Sequence, residues 1–240
     1  MDYARLVPSP VFVLSSERSG STLLRALLDS HSAIHAPHEL HLRQLKVQAP
    51  ELATLAMADL GFRRRDLENL LWDRMLHLRL VTSGKQIIVD KTPHNLKAWR
   101  RIHDYWPDAR FLFLFRHPQR IFESMTTAWP HHDRDNLTTR ITRTLTTLHE
   151  ATTTAPGLDV RYEELTGDPE AATRQICSYL GVAWEPSMLH YGEQRQFERG
   201  LGDWGDKITG GRILPDKPLP PREEIDARLL EVTRLAGYPV

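Results

Sequence analysis

The chain has 240 residues, 40% of them apolar, which suits one ordinary domain with a sizeable core. Lysine plus arginine and aspartate plus glutamate both number 31, so the formal charge is zero. That balance argues against gripping nucleic acid through overall charge and leaves room only for a local basic cleft. The single cysteine, Cys177, excludes an intrachain disulfide framework and a thiolate cluster, and reads as a buried structural thiol.

The longest apolar runs, such as Val11-Phe12-Val13-Leu14, are far too short to span a bilayer. The N-terminal MDYARLVPSP has neither the basic start nor the apolar stretch of a secretory signal. The expectation is a cytoplasmic protein with no membrane partner and no nucleic-acid partner.

Taken in chain order, Val11–Ser15 is a buried parallel strand that passes through a Ser/Gly loop into a helix carrying Leu23, Leu24, Leu27 and Leu28. Residues 36–85 form a long insertion with helical spacing in Leu67, Leu70, Leu71, Met75 and Leu78, expected to act as a lid or acceptor wall. Ile87-Ile88-Val89 is a second strand ending in Asp90-Lys91-Thr92-Pro93. Phe111–Phe115 is a third, ending in Arg116-His117-Pro118, with Pro118 suited to a first helical turn. Leu137, Ile141, Leu145 and Leu148 predict a helix despite the many threonines around them. Leu158–Tyr162 is a fourth strand, followed by Asp168 as N-cap and Pro169 as first residue of a helix burying Ile176, Cys177 and Leu180. Residues 192–221, rich in glycine and proline, predict a long ordered loop. A last helix buries Ile225, Leu229 and Val232 and stops at Gly237.

Strands alternating with helices predict one α/β domain over residues 1–240, with a parallel sheet covered on both faces. Ligands of such sheets bind beyond the carboxyl ends of the strands. Here those ends carry Ser15–Thr22, Asp90-Lys91-Thr92 and Arg116-His117.

Between the first strand and its helix, Arg18-Ser19-Gly20-Ser21-Thr22 offers backbone N–H groups, a helix dipole, two hydroxyls and a fixed charge to a phosphate or sulfate. The ATP-type loop GxxxxGK[ST] is not met: Gly20 stands where its lysine belongs, and the leading glycine is missing. The plainer reading is a turn that caps a helix.

Two separated stretches resemble the sulfotransferases that use 3′-phosphoadenosine-5′-phosphosulfate (PAPS), above all the branch with bacterial carbohydrate and natural-product enzymes and the tyrosylprotein sulfotransferases. ERSGSTLLRALLDSH, residues 17–31, is similar to that family's 5′-phosphosulfate loop, with Arg18 as its basic residue. FLFRHPQRIFESM, residues 113–125, is similar to its 3′-phosphate motif, in which Arg116 and Ser124 would bind the phosphate. An arginine suits bidentate phosphate recognition; the plain alternative for Arg116 is an ion pair at a strand end. The resemblance implies a P-loop-like fold, PAPS as co-substrate and 3′,5′-ADP as product.

The resemblance also implies a base at Glu39, in His35-Ala36-Pro37-His38-Glu39, where related enzymes carry their catalytic glutamate. The alternative is a solvated loop carboxylate. Lys91 matches a catalytic lysine of the family, placed to stabilise the bridging oxygen as charge develops. A cytosolic branch uses a histidine directly after a Lys-Thr pair; here that place is Pro93, so His94 is the second candidate base, against the stronger reading of a helix-start histidine. Lys207 and Arg212 lie in a Gly-rich late stretch where family members cover the nucleotide, yet the Arg-Lys-Gly form of the cytosolic branch is absent and a plain surface loop fits nearly as well. Histidines 31, 35, 38 and 41 are spaced loosely enough to suggest a metal, but Pro37 breaks the geometry and sulfuryl transfer needs no ion; one or two of them are candidates for the acceptor pocket instead. His131 and His132 are equally open.

The sequence thus predicts transfer of a sulfuryl group to a hydroxyl of a small molecule or carbohydrate, without a metal. The competing readings are a P-loop kinase-like phosphotransferase and a non-catalytic nucleotide-binding module. Neither acceptor identity nor oligomeric state has a signature in the chain.

Overall fold

The computed structural model describes residues 4–192 and 211–240. Its frame is a parallel sheet of β1 (Val11–Ser15), β2 (Ile34–His35), β3 (Ile87–Asp90), β4 (Arg110–Phe115) and β5 (Gly157–Arg161), in the order β2-β3-β1-β4-β5. β1 is central, with β3 on one side and β4 on the other, Val11 facing Val89 and Arg110. The short edge strand β2 had no apolar run to announce it; it exists because Ile34 and His35 pair with Ile87 and Ile88.

The strand alternation divides the core in two. Phe12, Leu14, Ile88, Phe111, Phe113 and Phe115 face one layer of helices. Val11, Val13, Val89, Leu112 and Leu114 face the other. Helix α1 (Ser21–Asp29) covers the second face with Leu23, Leu24, Leu27 and Leu28. The first face takes Trp72 and Leu76 of the insertion and Leu137, Ile141, Leu145 and Leu148 of the threonine-rich helix.

The insertion holds α2 (Glu51–Asp59), which buries no residue, and α3 (Arg64–Ser83). The helix α3 is where the leucine spacing predicted one, but its buried stripe is rotated: Glu68, Asn69, Trp72, Asp73 and Leu76 face inward, while Leu71 and Leu78 are exposed. Ready partners explain the rotation. Asp73 accepts the backbone N–H groups of Leu6 and Val7 at 2.7 and 3.1 Å. Glu68 accepts from Arg101 at 2.8 Å, and the same guanidinium lies 4.0 Å from the Trp72 ring centroid. Buried polar groups are tolerated where they are paired, and these are.

After β3 the chain runs through a 3₁₀ segment (Pro93–Ala98) into α4 (Trp99–Tyr105). β4 feeds α5 (Pro118–Ala128), with His117 accepting the Gln119 N–H as N-cap and Pro118 at the first position. The threonine-rich segment is α6 (Arg134–Thr154), with Asp133 as N-cap. β5 ends one residue earlier than the sequence suggested: Tyr162 opens a short helix α7 (Tyr162–Gly167). α8 (Pro169–Leu180) is capped by Asp168 as expected. It buries Cys177 against Met188, the two sulfurs 3.4 Å apart, and that burial raises the thiol pKa to about 11. Ile225, Leu229 and Val232 are buried as predicted, although the last helix, α9 (Leu230–Leu235), is shorter than the sequence suggested and is preceded by 3₁₀ turns. No helix among the described residues is long and apolar enough to cross a membrane.

Candidate active site

The carboxyl ends of β3, β1 and β4 lie side by side, and each carries part of the site. Beyond β1 the backbone turns through two left-handed residues, Arg18 at φ +62° and Gly20 at φ +89°. Gly20 is required twice over: its φ suits glycine, and a Cβ there would sit 2.0 Å from Cδ2 of Tyr162. The Ser19 hydroxyl is spent inside the loop on the Ser16 carbonyl at 2.6 Å, so only its backbone N–H remains for a ligand. Ser21 and Thr22 open α1.

The two sequence motifs meet in space. Arg18 Nε donates to Ser124 Oγ at 3.0 Å, and Arg116 Nη1 donates to the Arg18 carbonyl at 3.2 Å. The Arg116 guanidinium lies 4.2 Å from the Tyr162 ring centroid, so Tyr162 packs on both Gly20 and Arg116. Arg116 is ion-paired, but not in the solvated way expected of a strand-end pair: its Nη2 lies 2.8 Å from both oxygens of Asp216, and the side chains are 13% and 14% exposed. Neither Tyr162 nor Asp216 was singled out by sequence. Tyr162 follows a strand tip directly, which the strand-end rule flags; Asp216 lies 100 residues from its partner, with no local pattern to mark it.

On the other side of β1, Lys91 Nζ donates to Glu39 Oε1 at 2.7 Å. The lysine side chain is 1% exposed and the carboxylate 12%. Burial lowers the ammonium pKa, with Glu39 opposing the shift. The pair is held from several directions. Asp90, fully buried, accepts from Thr92 Oγ1 at 2.8 Å and Asn95 Nδ2 at 2.7 Å, and burial raises its pKa. The His41 N–H donates to Thr92 Oγ1 at 3.3 Å, and Arg25 Nη1 donates to the Ala36 carbonyl at 3.2 Å. Loop 36–41 is thereby pinned between α1 and the tip of β3.

His94 is half-buried, its ring 6.4 Å from that of His41, and burial lowers its pKa. The four loosely spaced histidines take separate partners: His31 the Ala183 carbonyl, His35 Asp29, His38 the Glu39 carbonyl and His41 the Glu39 carboxylate. Among the described residues no metal-holding group of three such side chains forms. His132 lies against Trp129, and neighbouring Asp133 is spent on the α6 cap. Arg212 is exposed, its carbonyl accepting from the Tyr191 hydroxyl at 2.9 Å. Lys207 lies outside the described residues, as does most of the late Gly-rich stretch.

Residues 10–186 match the sequence profile described as the Sulfotransferase family. The chain belongs to that family. Its relatives include the nodulation protein NoeE of Sinorhizobium fredii, 28% identical over 95% of this chain, and the protein-tyrosine sulfotransferase of Drosophila melanogaster, 25% identical over 80%. The matches cover 60% and 41% of those proteins, so this sulfotransferase-family chain spans only part of their lengths. Among solved structures, the sulfotransferase domain from the curacin biosynthetic pathway superposes with a TM-score of 0.68 at 18% identity, over 99% of this chain and 100% of that one. The sulfotransferase domain of the Synechococcus PCC 7002 olefin synthase also gives 0.68, at 21% identity, over 100% and 98%. Those two likenesses show that the described residues share the sulfotransferase fold.

Proposed function

We propose that the protein moves the sulfuryl group of PAPS to a hydroxyl of a small-molecule or carbohydrate acceptor and releases 3′,5′-ADP. The single observation that carries this is the physical joining of the two anion motifs through Arg18, Ser124 and Arg116. A donor with phosphates at both its 5′ and 3′ ends needs two linked anion sites. The Asp216 carboxylate on Arg116 supports the second: that guanidinium is already set to take an anion. The left-handed residues Arg18 and Gly20, followed by Ser21, Thr22 and the start of α1, suit the phosphosulfate end.

In this reading Glu39 takes the proton of the acceptor hydroxyl as its oxygen bonds to sulfur. The bond from sulfur to the 5′-phosphate oxygen breaks, and the electron pair stays on that oxygen. Lys91 holds Glu39 Oε1, the proton goes to Oε2, which lies 3.5 Å from His41 Nε2, and the lysine's charge stabilises the departing oxygen together with Arg18. Such a transfer is catalysed by positioning and charge, and the sulfuryl group carries less charge than a phosphoryl group, so no metal is demanded. His94, whose pKa burial lowers, is the second candidate base.

The test is Glu39→Gln. The amide still accepts from Lys91 but cannot take a proton. Turnover falls by about 10²–10⁴-fold, while 3′,5′-ADP stabilises the variant against heat as it does the wild type. Equal loss in His94→Gln with Glu39→Gln active would move the base to His94. Stabilisation by ATP or AMP equal to that by 3′,5′-ADP would overturn the donor assignment.

A further inference from the structure

A cavity of about 840 Å³ opens beside the proposed reaction centre, between the 3₁₀–α4 segment and α6. Its lining includes Ser15, Glu17 and His94, at or just beyond the tips of β1 and β3. Its volume is that of a small-molecule site rather than of an extended surface groove. Its lining holds six cationic side chains against three carboxylates, on a chain whose formal charge is zero. The excess is therefore local.

Four of the six cations are internally neutralised. Arg65 pairs with Asp104 at 3.3 Å, Arg100 with Glu150 at 3.4 Å, Arg101 with Glu68 at 2.8 Å, and Arg140 with Glu17. That leaves Lys97, from the 3₁₀ wall, and Arg143, from the α6 wall. Both are exposed; the Arg143 carbonyl accepts from Thr147 Oγ1 at 2.9 Å, but the cationic group of neither side chain has a hydrogen bond or ion pair with a described residue. The wall around Arg143 is polar, for Thr144 and Thr147 line the cavity one on each turn of α6. Two unpaired cations on the two walls of a pocket make its field attractive to an anion.

We infer that the acceptor carries a phosphate monoester besides its reacting hydroxyl, and that Lys97 and Arg143 hold that phosphate. This rests on the sulfotransfer reading above and names its substrate class. The pocket's size favours a phosphorylated small molecule over a peptide with acidic side chains.

The test uses protein saturated with 3′,5′-ADP, so that added phosphates do not report on the donor site. Glucose 6-phosphate, N-acetylglucosamine 1-phosphate and phenyl phosphate are titrated by calorimetry beside glucose, N-acetylglucosamine, phenol and an acidic tyrosine peptide. At least one phosphorylated probe is expected to bind while its neutral counterpart does not. Lys97→Gln and Arg143→Gln are each expected to weaken that binding about tenfold, with the affinity for 3′,5′-ADP unchanged. Wild-type protein that fails to bind 3′,5′-ADP overturns the donor reading and this inference with it. Protein that binds the nucleotide but takes no phosphorylated probe, or takes it undiminished in both variants, overturns this inference alone. Binding of the acidic peptide alone, sensitive to the same two substitutions, replaces the phosphorylated small molecule with a peptide.

Discussion

The contact between Arg116 and Asp216 makes a quantitative demand on donor binding. If Arg116 is to take a 3′-phosphate, the carboxylate on its Nη2 must first leave. A charge-assisted hydrogen bond of this kind is worth roughly 1.5–3 kcal/mol, and partial exposure of both side chains puts this one at the lower end. Asp216→Asn removes the competing charge yet keeps the side chain's size. Arg116 stays oriented by the Arg18 carbonyl and the Tyr162 ring. The variant is therefore expected to bind 3′,5′-ADP about tenfold more tightly, the equivalent of about 1.4 kcal/mol. AMP, which has no 3′-phosphate, should bind both proteins equally. Titration calorimetry of the two nucleotides at one fixed salt concentration reads the difference directly. Weaker binding of 3′,5′-ADP, or a parallel change for AMP, would refute the reasoning and show that Asp216 holds Arg116 in place for its ligand instead of competing with it.

Two further outcomes follow from individual residues. Gly20→Ala combines a left-handed backbone with a clash against Tyr162, so it should lower Tm by several degrees, from a penalty of about 1–3 kcal/mol, and abolish 3′,5′-ADP binding; Gly167→Ala, with open space around its Cβ, serves as the control and should do neither. His117 is buried and close to Arg120; the burial first and the nearby charge second lower its pKa from 6.5 to about 4, against the Glu123 carboxylate. The unfolded chain binds that proton and the folded one does not, so stability should fall as pH drops from about 6.5 to about 4, by about 3 kcal/mol, and depend no further on this group below that. Denaturant unfolding across that range should show the slope reduced in His117→Asn, whose side chain keeps the α5 cap; an unchanged slope would assign it to other groups.

Much of this molecule is legible in its amino-acid sequence. The apolar runs at Val11, Ile87 and Phe111 became the central strands, because a buried parallel strand needs nothing beyond its own continuous apolar stretch. Asp168-Pro169 marked one helix start through its N-cap and Pro118 another through its fixed φ, signals that act within one turn, whereas the His117 cap showed only in the structure. The candidates Arg18, Ser124, Arg116, Lys91 and Glu39 could be named because the strand-tip rule and the family resemblance act on short stretches of chain.

What remained hidden depended on partners remote in sequence. The inward face of α3 was decided by Asp73 meeting the backbone at Leu6 and Val7, and by Glu68 meeting Arg101. A polar stripe with such partners turns inward at the expense of Leu71 and Leu78, which stay exposed. β2 exists only through its pairing with β3, and a two-residue strand has no periodicity of its own. That Arg18 reaches Ser124, that Lys91 reaches Glu39 and that Asp216 sits on Arg116 are consequences of chain closure over 106, 52 and 100 residues. Local patterning sets which segments become strands and helices, because those preferences are satisfied within a few residues. Which charge meets which is settled only when the sheet assembles and brings its strand tips together.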